Sequence, residues 1–205
     1  MLYIFDEVCL VEDDLTERYK AFLSAERQAK IQKLRSPSGR SASAAAYLLL
    51  RLALLESYGI NEAVKFEYAD KGKPFLKDYP NIFFSLSHSK NVAACAVSVS
   101  EVGMDVQCVG PITDKVAKRV LTVNEYTAFK DSYTPDEYFC EVWVIKESFL
   151  KKTGQGISTE LRDIEAGNVS GKTVYKGGNY FCCICGDAGK EILHIRRDDF
   201  EKLRN

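Results

Sequence analysis

The chain has 205 residues, 46% hydrophobic and 28% charged, an ordinary globular composition long enough to bury a core without disulfide or metal staples. A net charge of −1 gives no overall electrostatic footprint for nucleic acid or an anionic membrane, so neither class of partner is expected. Seven cysteines, an odd number set among apolar neighbours, point to reduced thiols and a cytoplasmic location.

The first residues, MLYIFDEVCLVEDDL, carry no basic leader and place Asp6 and Glu7 early, which argues against a signal peptide. Residues 2–11 alternate loosely and predict a strand. Ser24 is a candidate N-cap for a helix through AERQAKIQKL, which SPSGR at 36–40 is expected to break. A long apolar helix follows over 41–58 and stops at Gly59, a natural left-handed cap. Its core, ASAAAYLLLRLALL, is too short to span a bilayer and is interrupted by Arg51.

DKGKPFL predicts a turn and then an extended piece, because Pro74 disfavours helix at Lys73. NIFFSLSHS and VAACAVSVS read as a hairpin joined by the polar HSKN, and VGMDVQCV as a third strand. After Pro111 the pattern turns helical in TDKVAKRVLT, NEYTAFKD and the long segment 136–153. It returns to strands in TVYKG, NYFCCICG and EILHIRR. CCIC at 182–185 has no second cysteine pair nearby and only His194 as a nearby histidine, so a buried strand is expected there and not a metal site. Each half runs through helix into strands. No low-complexity linker marks a boundary, and the expected division is 1–100 and 101–205.

Several residues can carry chemistry. Asp105 and Gln107 stand two apart on one strand face. Helical spacing puts Trp143, Glu147 and Lys151 on one face of the long helix. Two carboxylates from separate elements suit Mg²⁺, which keeps several waters and takes few protein ligands. The same residues also read as a solvated ion pair. His88, between Ser87 and Ser89 at a strand end, reads either as structural or as a donor to phosphate. Arg27, Lys30, Lys71 and Lys73 read as solvating surface, yet Gly72 and Pro74 shape a turn whose backbone can approach an anionic ligand closely.

Taken in order, GKPFL, FSLSHS, VGMDVQ and WVIKESFLKKTGQGI resemble the Sfp-type 4′-phosphopantetheinyl transferases, over roughly residues 20–157. SAERQAKIQKL and ITDKVAKRVLTVNEY are similar to that family's early basic helix and to the segment after its metal-binding strand. The resemblance implies an α+β fold of two similar halves, a pseudo-dimer in one chain, each half a long helix packed on a small antiparallel sheet. It implies transfer of 4′-phosphopantetheine from coenzyme A to a serine of an apo acyl or peptidyl carrier protein, releasing 3′,5′-ADP. Such an enzyme is expected to act as a monomer.

By the same resemblance Asp105, Glu147 and Gln107 occupy the Mg²⁺ positions, and His88, Lys151 and Glu147 the catalytic ones. Arg27, Lys30 and Ser43 match the grip on the 3′-phosphate; Gly72, Lys73, Pro74 and Ser87 match the adenine and ribose pocket. Two positions depart from the family pattern. Gln107 stands where an acidic residue is usual, and Ala42 where an arginine is, with Arg40 as a substitute two residues earlier. A non-catalytic module that binds coenzyme A or a carrier protein is the competing expectation. A Mg²⁺-dependent nucleotide hydrolase lacks a phosphate-cradling glycine loop.

Overall fold

A computed structural model describes residues 1–8, 14–156, 160–187 and 191–204. The fold is α+β. Two antiparallel-based sheets lie back to back, each covered on its outer face by one long helix.

The first sheet has the order β4(Phe83–Ser89), β5(Val92–Ser98), β1(Leu2–Phe5), β9(Ile192–His194). Its outward residues Tyr3, Phe5, Ala93, Cys95 and Val97 meet the helix α3(Pro37–Tyr58). The other sheet has the order β6(Gly103–Cys108), β8(Tyr180–Cys185), β7(Lys172–Lys176). Phe181, Cys183 and Cys185 on its outer face meet α6(Pro135–Thr153). Between the sheets lies a third core, in which Leu2, Ile4, Val92 and Ala94 face Met104, Val106, Cys182 and Ile184. Strand periodicity of two explains how each strand feeds two cores.

Where the sheets meet, β4 and β6 abut without sharing a ladder, and serines join them. Ser85 Oγ accepts from Met104 N (2.9 Å) and Ser89 Oγ from Cys108 N (3.1 Å), while Ser87 Oγ donates to Asp105 Oδ1 (2.6 Å). The alternating serines of FSLSHS thus satisfy backbone and carboxylate groups that no neighbouring strand pairs.

Most predicted elements form. α2(Ala25–Gln32) starts at its Ser24 cap, and Gly59 ends α3 at φ 69°. CCIC is wholly buried in β8. Three boundaries differ. α2 stops at Gln32, ahead of SPSGR, and SPSGR itself starts α3 four residues earlier than expected, because Ser36 caps Gly39 N and Pro37 sits in the first turn where its missing N–H costs nothing. The β4–β5 turn is only Lys90-Asn91, with Lys90 at φ 46°. β1 ends at Phe5, and residues 9–11 of the expected strand lie outside the described residues. A small hairpin, β2(Phe66–Tyr68) and β3(Pro74–Leu76), stands apart beside α2. Two shorter helices, α4(Asp114–Val120) and α5(Val123–Asp131), lead into α6, and α1(Asp14–Arg18) precedes α2.

The last described residues return to the first sheet. β9 pairs in parallel with β1, and Phe200 of the 3-10 helix Arg197–Arg204 packs edge-on against Phe5 and Tyr19. No helix among the described residues is long and apolar enough to cross a membrane.

Candidate active site

A cleft of about 420 Å³ opens where the first sheet meets α6. α2 contributes Arg27 and Lys30, the β2–β3 hairpin contributes Phe66, Tyr68 and residues 71–74, β4 contributes Phe84, Leu86 and His88, and α6 contributes Glu147, Leu150 and Lys151. Gly72 at the hairpin turn has φ +85°, a conformation that suits glycine alone. Of the residues picked from sequence, Arg27, Lys30, Gly72, Lys73, Pro74, His88, Glu147 and Lys151 line this cleft.

Arg40, Ser43, Ser87, Asp105 and Gln107 do not line it. Arg40 borders a separate cavity, and its guanidinium donates to the carbonyls of Leu34 and Arg35, bracing the link between α2 and α3. Ser43 lies beneath the cleft and accepts from Arg27 Nη1 (3.4 Å). Gln107 donates weakly to Cys108 O (3.4 Å). The aromatics Phe66 and Tyr68, absent from the residues expected from sequence, also line the cleft. Their signal was the F-E-Y alternation, which sets both rings on one strand face.

The cleft is cationic on one wall. Arg27 is only 9% exposed, its guanidinium lying over the rings of Tyr47 (5.2 Å) and Phe66 (5.7 Å). Burial lowers its pKa, and that of Lys30, where the Arg27 charge adds to the effect. Among the described residues neither cation is ion-paired to a carboxylate. An anion arriving there meets two positive charges, while Glu26, the carboxylate that acts on both, accepts from Tyr68 OH.

Behind the opposite wall, which Glu147 and Lys151 form, Asp105 is 6% exposed and accepts from Ser87 Oγ (2.6 Å) and Lys151 Nζ (2.7 Å), both at Oδ1. Lys151 also reaches Leu86 O (3.4 Å). Burial, then the charge of Asp105, raises the pKa of Glu147, while Lys151 opposes the shift. The two carboxylates therefore sense one another across a poorly solvated gap. His88 keeps part of its ring open to solvent, but crowding within the concave wall and the charges of Lys151, Arg27 and Lys30 lower its pKa. It is a neutral imidazole at pH 7, able to donate through one nitrogen.

Two mutually repelling carboxylates of hard oxygen fit a divalent cation that completes its shell with water and ligand oxygens. Among the described residues no group of three histidine, cysteine or acidic side chains converges. Asp105 and Glu147 are the donors that fit.

Two devices set these walls. Gly103 at the start of β6 lies so close to α6 that a Cβ would stand 2.0 Å from Ser148 O and 2.2 Å from Lys152 N. Only glycine lets β6 bring Asp105 that near Glu147 and Lys151. Lys73 Nζ donates to Lys152 O (2.7 Å) and pairs with Glu101, fastening the hairpin turn to the C-terminal end of α6. Lys146, one residue before Glu147, points elsewhere. It is fully buried, donates to Val120 O (2.8 Å) and pairs with Glu125, which also accepts from Thr122 N and Ala166 N. Its role is to fix α6 on its own core.

The sequence profile of the 4′-phosphopantetheinyl transferase superfamily matches residues 101–194. The chain is 31% identical over 149 residues to the "4′-phosphopantetheinyl transferase ffp" of Bacillus subtilis, covering 71% of this chain and 66% of that protein. It is 30% identical over 148 residues to the "4′-phosphopantetheinyl transferase Sfp" of Bacillus subtilis (strain 168), with the same coverage of both chains. Against the "4′-phosphopantetheinyl transferase HetI" of Nostoc sp. it is 35% identical over 156 residues, 71% of this chain and 65% of that one. The chain thus spans just under two thirds of these relatives' length. It belongs to the 4′-phosphopantetheinyl transferase superfamily.

Proposed function

We propose that this protein is an enzyme that transfers 4′-phosphopantetheine from coenzyme A to a serine hydroxyl of an apo acyl or peptidyl carrier protein, releasing 3′,5′-ADP. The observation that carries the reading is the opposition of two walls: Arg27 and Lys30 face Glu147 and Lys151 across one cleft, and Asp105 stands behind the second wall, bonded to Lys151. A nucleotide with a terminal phosphate and a pyrophosphate suits that spacing of charge. Phe66 and Tyr68 supply flat apolar surface for its base.

In the reaction the serine oxygen bonds to the phosphorus that bears the pantetheine arm, and the bond from that phosphorus to the bridging oxygen breaks. The oxygen leaves on 3′,5′-ADP, and the serine proton passes to a base. Asp105 and Glu147 would hold Mg²⁺, with Gln107 offering at most a neutral carbonyl; the ion, when bound, neutralises charge on the pyrophosphate. Lys151 carries its ammonium to the leaving side, and neutral His88 donates a hydrogen bond to a phosphate oxygen. Glu147, whose pKa burial raises, would take the serine proton, directly or through water. The finer reading is a monomer acting in the cytoplasm, where the free cysteines stay reduced.

The test is to incubate the protein with coenzyme A, Mg²⁺ and an apo carrier protein and to weigh the carrier. A gain of about 340 Da, the mass of the arm, supports the transferase. An unmodified carrier together with tight coenzyme A binding supports the non-catalytic module.

A further inference from the structure

We infer that Ser87 is a positioning residue for the carboxylate of Asp105 and does not touch coenzyme A; the inference rests on Asp105 being a metal-holding group. Three observations carry it. Ser87 lies between Leu86 and His88 on β4, both of which line the cleft, and strand alternation turns its side chain, like those of Ser85 and Ser89, toward β6; of these three serines Ser85 borders the cleft and Ser87 does not. It is 8% exposed, and its hydroxyl donates to Asp105 Oδ1 at 2.6 Å, the length of a charge-assisted bond. The donors on Asp105 are also unevenly shared. Oδ1 takes both Ser87 and Lys151, whereas Oδ2 takes none from the described residues.

The two donors on Oδ1 are not equivalent. Lys151 is 31% exposed in its side chain, sits on a flexible four-carbon stem and has its own use for its charge at the ligand's phosphates. When that ammonium moves to a phosphate, Ser87 is what remains on Oδ1. Its hydroxyl is short and stands on a strand locked in register with β5, Ser87 opposite Ala94. The carboxylate is therefore held with Oδ2 free for a cation, whether or not the lysine stays. The serine–carboxylate bond also spans the seam between the two sheets, so it fixes the metal-holding strand relative to the wall that carries His88.

Hydrogen-bond partners behind a metal ligand typically change metal affinity by about 10–100-fold. Mn²⁺ binding followed by electron paramagnetic resonance, without coenzyme A, is one readout. Coenzyme A binding by calorimetry in chelator is the other. Ser87→Ala should weaken Mn²⁺ binding about tenfold and leave metal-free coenzyme A binding within about twofold of the parent. Ser87→Thr, which keeps the hydroxyl, should restore Mn²⁺ affinity. The double variant Ser87→Ala/Asp105→Ala should bind Mn²⁺ no more weakly than Asp105→Ala alone. Lost coenzyme A affinity with unchanged Mn²⁺ binding in Ser87→Ala would overturn the inference and make the hydroxyl a ligand contact. Undiminished Mn²⁺ affinity in Asp105→Ala would instead remove the metal reading beneath it.

Discussion

The two long helices are built alike and used differently. α3 and α6 each have proline in the first turn and each end at a left-handed glycine, Gly59 at φ 69° and Gly154 at φ 66°. From Ser41 to Leu54 every residue of α3 is buried, so it touches neighbours all round and gives the cleft only Ala46. α6 buries Val144, Ile145, Ser148 and Leu150 but leaves Glu147 and Lys151 half-buried on the face toward β6 and the cleft. Each helix also buries one cation, Arg51 on the carbonyls of Phe22 and Asn61, and Lys146 on Glu125. A helix enclosed on all sides can serve only as scaffold, whereas one with a partly wet face can present side chains to a ligand. Architecture alone does not separate them.

The sharpest way to break that comparison lies within α6, between Lys146 and Lys151. Lys146→Met should cost about 3–5 kcal/mol in denaturant melts, because it leaves Glu125 buried without its cation. Lys151→Met should stay within about 1 kcal/mol of the parent, since its ion pair is partly exposed, while slowing transfer severely. A Lys146→Met protein as stable as the parent would show that the buried pair does not hold α6.

Next in size come the carboxylates. Asp105→Ala and Glu147→Ala should each lower the transfer rate by about two to three orders of magnitude with cooperative unfolding retained. Full activity in either would remove the carboxylate from the mechanism. Gly103→Ala should destabilise by about 1–3 kcal/mol, since backbone and not a flexible tip meets the new methyl, and should slow transfer by pushing α6 away from Asp105. A parental rate and melting curve would mean that the close approach is not needed.

Smaller effects sharpen the binding wall. Arg27→Ala should raise KM for coenzyme A, whereas Arg40→Ala should leave it unchanged and cost about 1 kcal/mol for two lost hydrogen bonds to carbonyls. A raised KM in Arg40→Ala would return that residue to the 3′-phosphate grip. Gln107→Glu should lower the half-saturating Mg²⁺ concentration in a rate titration, by adding an anionic oxygen near Asp105.

How much of this was legible depended on the range of the signal. Helix caps at Ser24 and Gly59, the buried CCIC strand and the Glu147–Lys151 face are local patterns of three to eight residues, and all formed as read. The start of α3 is less legible, because a Ser-Pro-Ser-Gly run that separates two helices can also cap the second one. The role of Lys146 depends on Glu125 and Val120, more than twenty residues away, so no spacing rule could find it. Ser87 was placed by resemblance beside the ligand. Only the meeting of β4 with β6, a pairing of whole sheets, shows its hydroxyl engaged with Asp105.

The return of the chain to its first sheet has a consequence for how the protein is made. Tyr3, Phe5 and Tyr19 share a core with Ile195, Phe200 and Leu203, residues almost two hundred positions later. A ribosome adds roughly 5–20 residues per second, so the first core waits on the order of ten seconds or more for its closing piece. Until then α3 presents a long aliphatic surface with part of its cover missing. Nascent chains stalled before residue 195 should therefore recruit chaperones and resist proteases poorly, whereas chains extended past residue 203 and clear of the exit tunnel should become protected in one step. The seam beside the candidate cleft can close only after residues 103–108 have appeared, but the layer it leans on is completed only by residues 192–203.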